Sequence, residues 1–257
     1  MTSGGDGQVR VEGLEKTFWE RGRGEIRAVA GIDFSCRPGE VFGLLGANGA
    51  GKTTTLRMLA TVLQATSGTA TVNGHDVRTE PEAVRRSLGF HSASTALYPR
   101  LTVRETLDFF ARVNRYPADA LEQRIETLLD RFSLRSYADA RVGVLSSGMK
   151  QKVSIARTVA HDPPVLIFDE PSVGLDVVNA LELRRIVREL RDQGKAIIFS
   201  THVMPEAERV CDRIGIMHGG RLLATGTLEE HRDRTDQHYL EDIFVAELAR
   251  AGYTGAP

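Results

Sequence analysis

Apolar residues along this chain follow two rhythms, and the switches between them outline a fold. Near the start, QVRVEGL and AVAGIDFSC have strand character, and the polar, glycine-containing WERGRGE between them reads as a hairpin tip. EVFGLLG is a continuous apolar run ending on glycine. KTTTLRMLATVL follows it, with Leu56, Leu59 and Leu63 at helical spacing. TATVNGHDV carries an Asn-Gly turn signal. From about Thr102 to Ala160 the helical period dominates, with Leu107, Phe110 and Val113 on one face and Leu121, Ile125, Leu128 and Phe132 on another. Strand-like sequence returns in VLIFD, AIIFS and RIGIMH, with the helix-like LELRRIVRELRDQG between the first two. This alternation predicts an α/β core with a mostly parallel sheet, an N-terminal β section and a helical insertion.

Composition narrows the class without naming a function. The 257 residues are 41% hydrophobic and 26% charged, which suits a globular domain with a substantial core. With 33 Lys+Arg against 34 Asp+Glu, there is no electrostatic footprint for nucleic acid, and none is expected as a partner. Cys36 and Cys211 are too few and too distant to form a metal cluster. MTSGGDGQ lacks the basic start and apolar stretch of a signal peptide, and no run approaches the ~20 apolar residues of a membrane span. The expected location is the cytoplasm, with any membrane role exercised through a partner.

Three motifs carry the chemistry. Gly46, Ala47, Asn48, Gly49, Ala50, Gly51, Lys52 and Thr53 match G-x-x-x-x-G-K-[ST] between a strand and a helix, and Thr54 continues the helix start. In such a P-loop the backbone N–H groups and the helix N-terminus cradle phosphates. Lys52 reaches the β- and γ-phosphates, and the Thr53 hydroxyl binds Mg²⁺. Val165 to Phe168 form a buried strand that delivers Asp169 and Glu170 at its carboxyl end, where α/β sheets place ligands. Asp169 is expected on the metal, and Glu170 as the base that polarises the attacking water. His202 closes the strand AIIFS; lying beside the Asp169 strand, it would come within reach of the γ-phosphate.

LSSGMKQ supplies the remaining element. Ser146 and Gly148 could simply begin a helix, as serine N-caps do. Yet the order of P-loop, helical insertion, LSSGMKQ, VLIFDEP, SVGLD and STH resembles the ATP-binding subunit of an ABC transporter, from about Val9 to Thr225. The resemblance implies a P-loop NTPase core with an N-terminal antiparallel subdomain. It implies residues 1–8 as a flexible tail, 9–225 as the ATPase domain with a helical subdomain about 92–160, and 226–257 as a C-terminal extension. The tail segment YLEDIFVAELARAG is amphipathic enough for a short helix packed on its own core.

In that family the signature loop completes the ATP site of a second subunit in a head-to-tail dimer. Ser146 and Gly148 would then face the γ-phosphate held by a second copy, and Asp176 of SVGLD would link the two sites. Phe18 stands where the family often stacks an aromatic on adenine, with the adjacent Trp19 as the alternative. The implied cofactors are ATP and Mg²⁺. The implied partners are a second ATPase subunit and an integral membrane permease, which would hold the chain on the cytoplasmic face. Ala93 falls at the position of the family's loop glutamine. Ser147 replaces the usual first signature glycine, and Met149 the usual glutamine. With HDPPVLIFDEPSVGLDV and YLEDIF, these variants look most like sodium-extrusion and ABC-2 exporters. The alternatives are a stand-alone P-loop kinase or NTPase, or a non-transport ATPase of the same superfamily acting on nucleic acid.

Overall fold

A computed structural model describes residues 8–22, 24–92 and 96–253. The chain opens with a long hairpin, β1 (Val9–Glu20) and β2 (Gly24–Cys36), paired antiparallel from Val9↔Cys36 to Glu20↔Gly24 around the expected tip. Next come β3 (Val41–Leu45) and α1 (Lys52–Leu59), then β4 (Ser67–Val72), β5 (His75–Asp76), α2 (Pro81–Ser87) and β6 (Leu88–Ser92). The helical insertion holds α3 (Val103–Val113), α4 (Leu121–Arg131) and α5 (Ser147–Thr158). The core resumes with β7 (Val165–Asp169), α6 (Val177–Asp192), β8 (Ala196–Thr201), α7 (Met204–Val210) and β9 (Arg213–His218). The chain closes with β10 (Arg221–Gly226), α8 (Leu228–Thr235) and α9 (Leu240–Arg250).

Two sheets result. The first is antiparallel in the order β2-β1-β4-β5; the second runs β10-β9-β3-β8-β7-β6, with only the β9–β10 pair antiparallel. The central strands β3, β8 and β7 read as almost continuous apolar runs because both faces are covered. Leu166 and Phe168 of β7, with Ile197 and Phe199 of β8, face the insertion and pack with Leu107, Leu128, Phe132 and Val153. The alternate residues Val165, Ile167 and Ile198 face the first sheet and α1, joining Val9, Leu14, Leu56 and Leu59. A third cluster seats α7 and α9 against Leu45, Ile214 and Ile216 through Ala207, Leu240, Ile243 and Phe244.

Several boundaries depart from the pattern. The helix expected to run through Leu63 ends at Leu59, because Thr61 turns left-handed (φ 58°) and Val62 and Leu63 donate back to the Arg57 carbonyl. Val113 ends α3 exposed rather than on its apolar face. α2, β6, α7, β10 and α8 are additions to the expected elements. In β6, LGFHS mixes Gly, His and Ser into a buried edge strand, and a polar Asn-Gly turn stands nearby. The tail does form a helix, α9, and its apolar side is buried in the third cluster as expected.

Candidate functional site

The carboxyl ends of β3, β8 and β7 lie side by side, and each delivers one part of the site. From β3 the chain enters the loop 46–51 and turns straight into α1, so the N–H groups of the first turn point at the loop mouth. Two glycines are required here by close approach. A Cβ on Gly46 would stand 2.3 Å from the Met217 carbonyl oxygen, and one on Gly51, which has φ 105°, would stand 2.5 Å from the Ala28 carbonyl oxygen. Lys52 is buried, and its ammonium donates to the carbonyls of Gly46 (2.6 Å) and Ala47 (3.2 Å), lying 3.3 Å from Glu170 Oε1. A buried cation resting on its own loop's carbonyls is placed for phosphate oxygens entering that loop.

The second strand end brings oxygen donors together. Thr53 Oγ1 donates to Asp169 Oδ1 at 3.1 Å, and Ser200 Oγ donates to the same oxygen at 2.7 Å. A hydroxyl and a carboxylate oxygen in contact are the hard donors that Mg²⁺ takes, with phosphates completing its shell. Among the described residues there is no cluster of three or more His, Cys, Asp and Glu able to hold a metal by itself. The Thr53 hydroxyl and the Asp169 carboxylate have the chemistry to supply two oxygen ligands to such an ion.

Glu170 sits one residue past β7 with φ 48°, a left-handed conformation uncommon for a residue with a side chain. Its backbone N–H donates to the carbonyl (3.2 Å) and hydroxyl (3.1 Å) of Ser200, which hold the turn. Its carboxylate then lies between two partners, Lys52 on Oε1 and His202 Nδ1 at 2.9 Å from Oε2. The strand adjacency expected for His202 is present, since Asp169 pairs with Ser200.

Three further polar residues brace this centre. Glu206, buried on α7, accepts from Thr201 Oγ1 and Ser172 Oγ, both at 2.8 Å, and so ties the segment after Glu170 to the end of β8. Gln151 on α5 donates to the Pro171 carbonyl at 2.7 Å and lies 3.2 Å from His91 Nε2. An amide nitrogen only donates, so His91 Nε2 accepts and the imidazole proton is on Nδ1, 3.3 Å from Ser154 Oγ. Burial, reinforced by the charge of Arg157, pulls His91 down to about 4 and keeps it neutral. Gln151 closes the LSSGMKQ segment, but nothing in the sequence signals that it meets Pro171 and His91; Glu206, His91 and Ser200 are not singled out by the sequence at all.

The signature segment lies elsewhere. Ser146 is the N-cap of α5, its hydroxyl accepting from the Met149 N–H at 3.3 Å. Ser146 and Ser147 are exposed and Gly148 is half-buried. Met149 packs against the insertion's core, where an apolar side chain suits. Asp176 caps α6 through the Asn179 backbone N–H at 2.9 Å and its side-chain amide at 2.8 Å. That backbone bond, ahead of the other contacts, holds the Asp176 carboxyl below its usual range. Around it Val173, Val177, Val178 and Leu181 are exposed. On the hairpin, Phe18 lies beneath the Lys16 ammonium, 5.0 Å from the ring centroid, while Trp19 takes the opposite side of the strand and is 81% exposed. Ala93 lies outside the described residues, as do residues 1–7 of the expected tail. The structure thus groups Lys52, Thr53, Asp169, Glu170 and His202, and leaves Ser146, Gly148, Asp176 and Phe18 outside that group.

Comparison with known proteins fixes the class. Residues 29–173, more than half of the chain, match the family described as ABC transporter. The ABC transporter ATP-binding protein NatA of Bacillus subtilis is 39% identical over 226 residues, covering 88% of this chain and 92% of that one. The Nod factor export ATP-binding protein I of Ralstonia nicotianae is 40% identical over 222 residues, covering 86% and 68%. A solved structure described as the ATP binding subunit of an ABC transporter superposes with a TM-score of 0.85 at 31% identity, covering 93% of this chain and 98% of that one. The chain belongs to the ABC transporter family and has its P-loop NTPase fold. No helix among the described residues is long and apolar enough to cross a membrane.

Proposed function

We propose that the chain is the ATP-binding and ATP-hydrolysing subunit of an ABC exporter, pairing head to tail with a second copy on the cytoplasmic face of a separate permease. The observation that carries this reading is the meeting of Lys52, Thr53, Asp169, Glu170 and His202 at the ends of three neighbouring strands. Residues 46–54 bind the phosphates, and Phe18 stacks on adenine. Thr53 and Asp169 hold Mg²⁺, which when bound offsets negative charge on the phosphate oxygens. Glu170 takes a proton from water as the water oxygen bonds to the γ-phosphorus and the bond to the ADP oxygen breaks. His202, fixed against Glu170, and Lys52 stabilise the charge on the γ-phosphate oxygens. Export is favoured by the similarity to the Nod factor export ATP-binding protein I of Ralstonia nicotianae.

The dimer is supported by Ser146 and Gly148, which begin α5 outside this group, and by the apolar residues exposed around Asp176. Head-to-tail pairing gives both a partner. The purified chain should bind Mg-ATP, release phosphate and dimerise with ATP. Absence of ATP binding in calorimetry would refute the reading.

A further inference from the structure

Behind the P-loop, the chain's own tail is packed against the turn that braces it. β9 and β10 are joined by a two-residue turn, Gly219 (φ 53°) and Gly220 (φ 77°), between His218 and Arg221. Both central residues are left-handed, as a tight hairpin turn of this kind requires. The Gly220 N–H donates to the Ala50 carbonyl at 3.0 Å, and the Gly220 carbonyl accepts from the Ala30 N–H of β2 at 2.8 Å. The turn is thereby bonded to the loop on one side and to the hairpin on the other.

The Ala50 bond has a directional consequence. In a trans peptide the C=O of one residue and the N–H of the next point to opposite sides. Holding the Ala50 carbonyl outward on Gly220 aims the Gly51 N–H the other way, into the loop mouth. That N–H is one of the donors a bound phosphate needs.

The turn is itself held by the C-terminus. Tyr253 sets its ring edge against His218, with centroids 4.4 Å apart and planes at 72°. Its hydroxyl lies against Gly219, 3.4 Å from where a Cβ there would stand. The ring is fixed in that place by the end of α9, where the Tyr253 N–H donates to the Leu248 carbonyl (3.0 Å) and Gly252 is left-handed (φ 85°). α9 is in turn anchored by Leu240, Ile243 and Phe244 in the third core cluster.

We infer that Tyr253 is a positioning residue for nucleotide binding, acting through the 218–220 turn on the Gly51 N–H of the P-loop. This rests on the reading of the loop as an ATP site. The contact touches neither Glu170 nor His202, so it governs affinity and leaves the chemical step alone.

The test uses the full chain with Mg-ATP and Mg-ADP as probes, measuring Kd by calorimetry, KM and kcat by phosphate release, and melting without nucleotide. Tyr253→Ala should raise Kd for both nucleotides and KM by about two- to tenfold, the scale of one aromatic edge-to-face pair, with kcat retained. Tyr253→Phe keeps the ring and should restore the wild-type Kd. His218→Ala removes the same contact from the other side and should weaken binding as Tyr253→Ala does, which covers the case of a Tyr253→Ala chain that does not fold. A lowered melting temperature with unchanged Kd in both alanine variants would overturn the inference alone, and so would a fall in kcat at constant KM. A wild-type chain that binds no ATP would overturn the function and the inference together.

Discussion

Two parts of the molecule carry the family's motifs, and they differ in whether their polar groups find partners within the chain. At the strand ends, Glu170 contacts both Lys52 and His202, and Asp169 accepts from both Thr53 and Ser200. At the start of α5, Ser146 satisfies one N–H of its own helix, Ser147 is exposed, and no side chain from the first group reaches them. The first region is assembled by one fold. The second is a helix N-terminus with donors left over, which the proposed head-to-tail pairing assigns to the site of a second copy. Under that proposal, mutations in the first region and in the second should have separable effects.

The strongest loss of activity is expected from the first region. Glu170→Gln keeps the shape and the left-handed turn but removes the proton acceptor, so turnover should fall about 10²- to 10⁴-fold, the range of a general base. ATP binding should persist, because Lys52 and the loop are unchanged. Phosphate release and ATP affinity measured side by side decide it. Wild-type turnover in the variant would remove Glu170 from the chemistry.

A mixture of two dead variants tests the division itself. Ser146→Arg should abolish hydrolysis with little change in ATP binding by the isolated chain, whereas Lys52→Ala should lose binding. Mixed, they should regain activity, since one site of each heterodimer then has an intact P-loop and an intact signature loop. About half the wild-type rate per heterodimer is the upper bound expected from mass balance over two sites. Loss of ATP affinity in Ser146→Arg alone would mean that the loop serves its own P-loop.

The junction between the regions should show a pH signature. His91 on β6 is bridged to α5 through Gln151 and Ser154, and it is fully buried. Its pKa is lowered from 6.5 to about 4 in the folded chain. Between those values the unfolded chain binds the extra proton, so stability falls as pH drops through that window and is fully kept above it. The loss should approach about 1.4 kcal/mol per pH unit for this one group. Urea unfolding at pH 7, 6 and 5 should show it, and His91→Asn, which does not titrate, should flatten the dependence relative to its own value at pH 7. An unchanged slope in that variant would place the acid sensitivity elsewhere.

How much of this was legible in the sequence follows the same division. P-loop, Asp169, Glu170 and His202 sit at fixed offsets from apolar strands, and a strand end is a position the pattern locates well. The bracing residues are different. Gln151, His91 and Glu206 meet the site from a helix in the insertion, an edge strand with a mixed sequence, and a seven-residue helix. Such meetings depend on how elements pack, which periodicity does not encode. β6 was missed for a related reason: LGFHS is buried between neighbours without alternating or running apolar. Thr61 ended α1 early through a left-handed turn that its residue type does not advertise.

At Ser146, capping can be told apart from the proposed contact with a second copy. As N-cap it accepts one N–H at 3.3 Å, a long bond on an exposed residue. Ser146→Ala should therefore cost toward the low end of the usual cap range, about 0.5 to 1 kcal/mol, read from urea unfolding of the monomer. A loss of that size leaves a stable domain folded at working temperature, so capping alone predicts nearly normal hydrolysis. A half-site that presents the hydroxyl to a second copy's γ-phosphate predicts more. Phosphate release at saturating ATP should drop well beyond what the lost stability explains. Ser146→Thr keeps a capping hydroxyl and should recover stability, so its hydrolysis rate reports whether the added methyl fits between two subunits. If Ser146→Ala loses stability and hydrolyses normally, the hydroxyl is a cap and the second region contributes through Gly148 and the helix terminus instead.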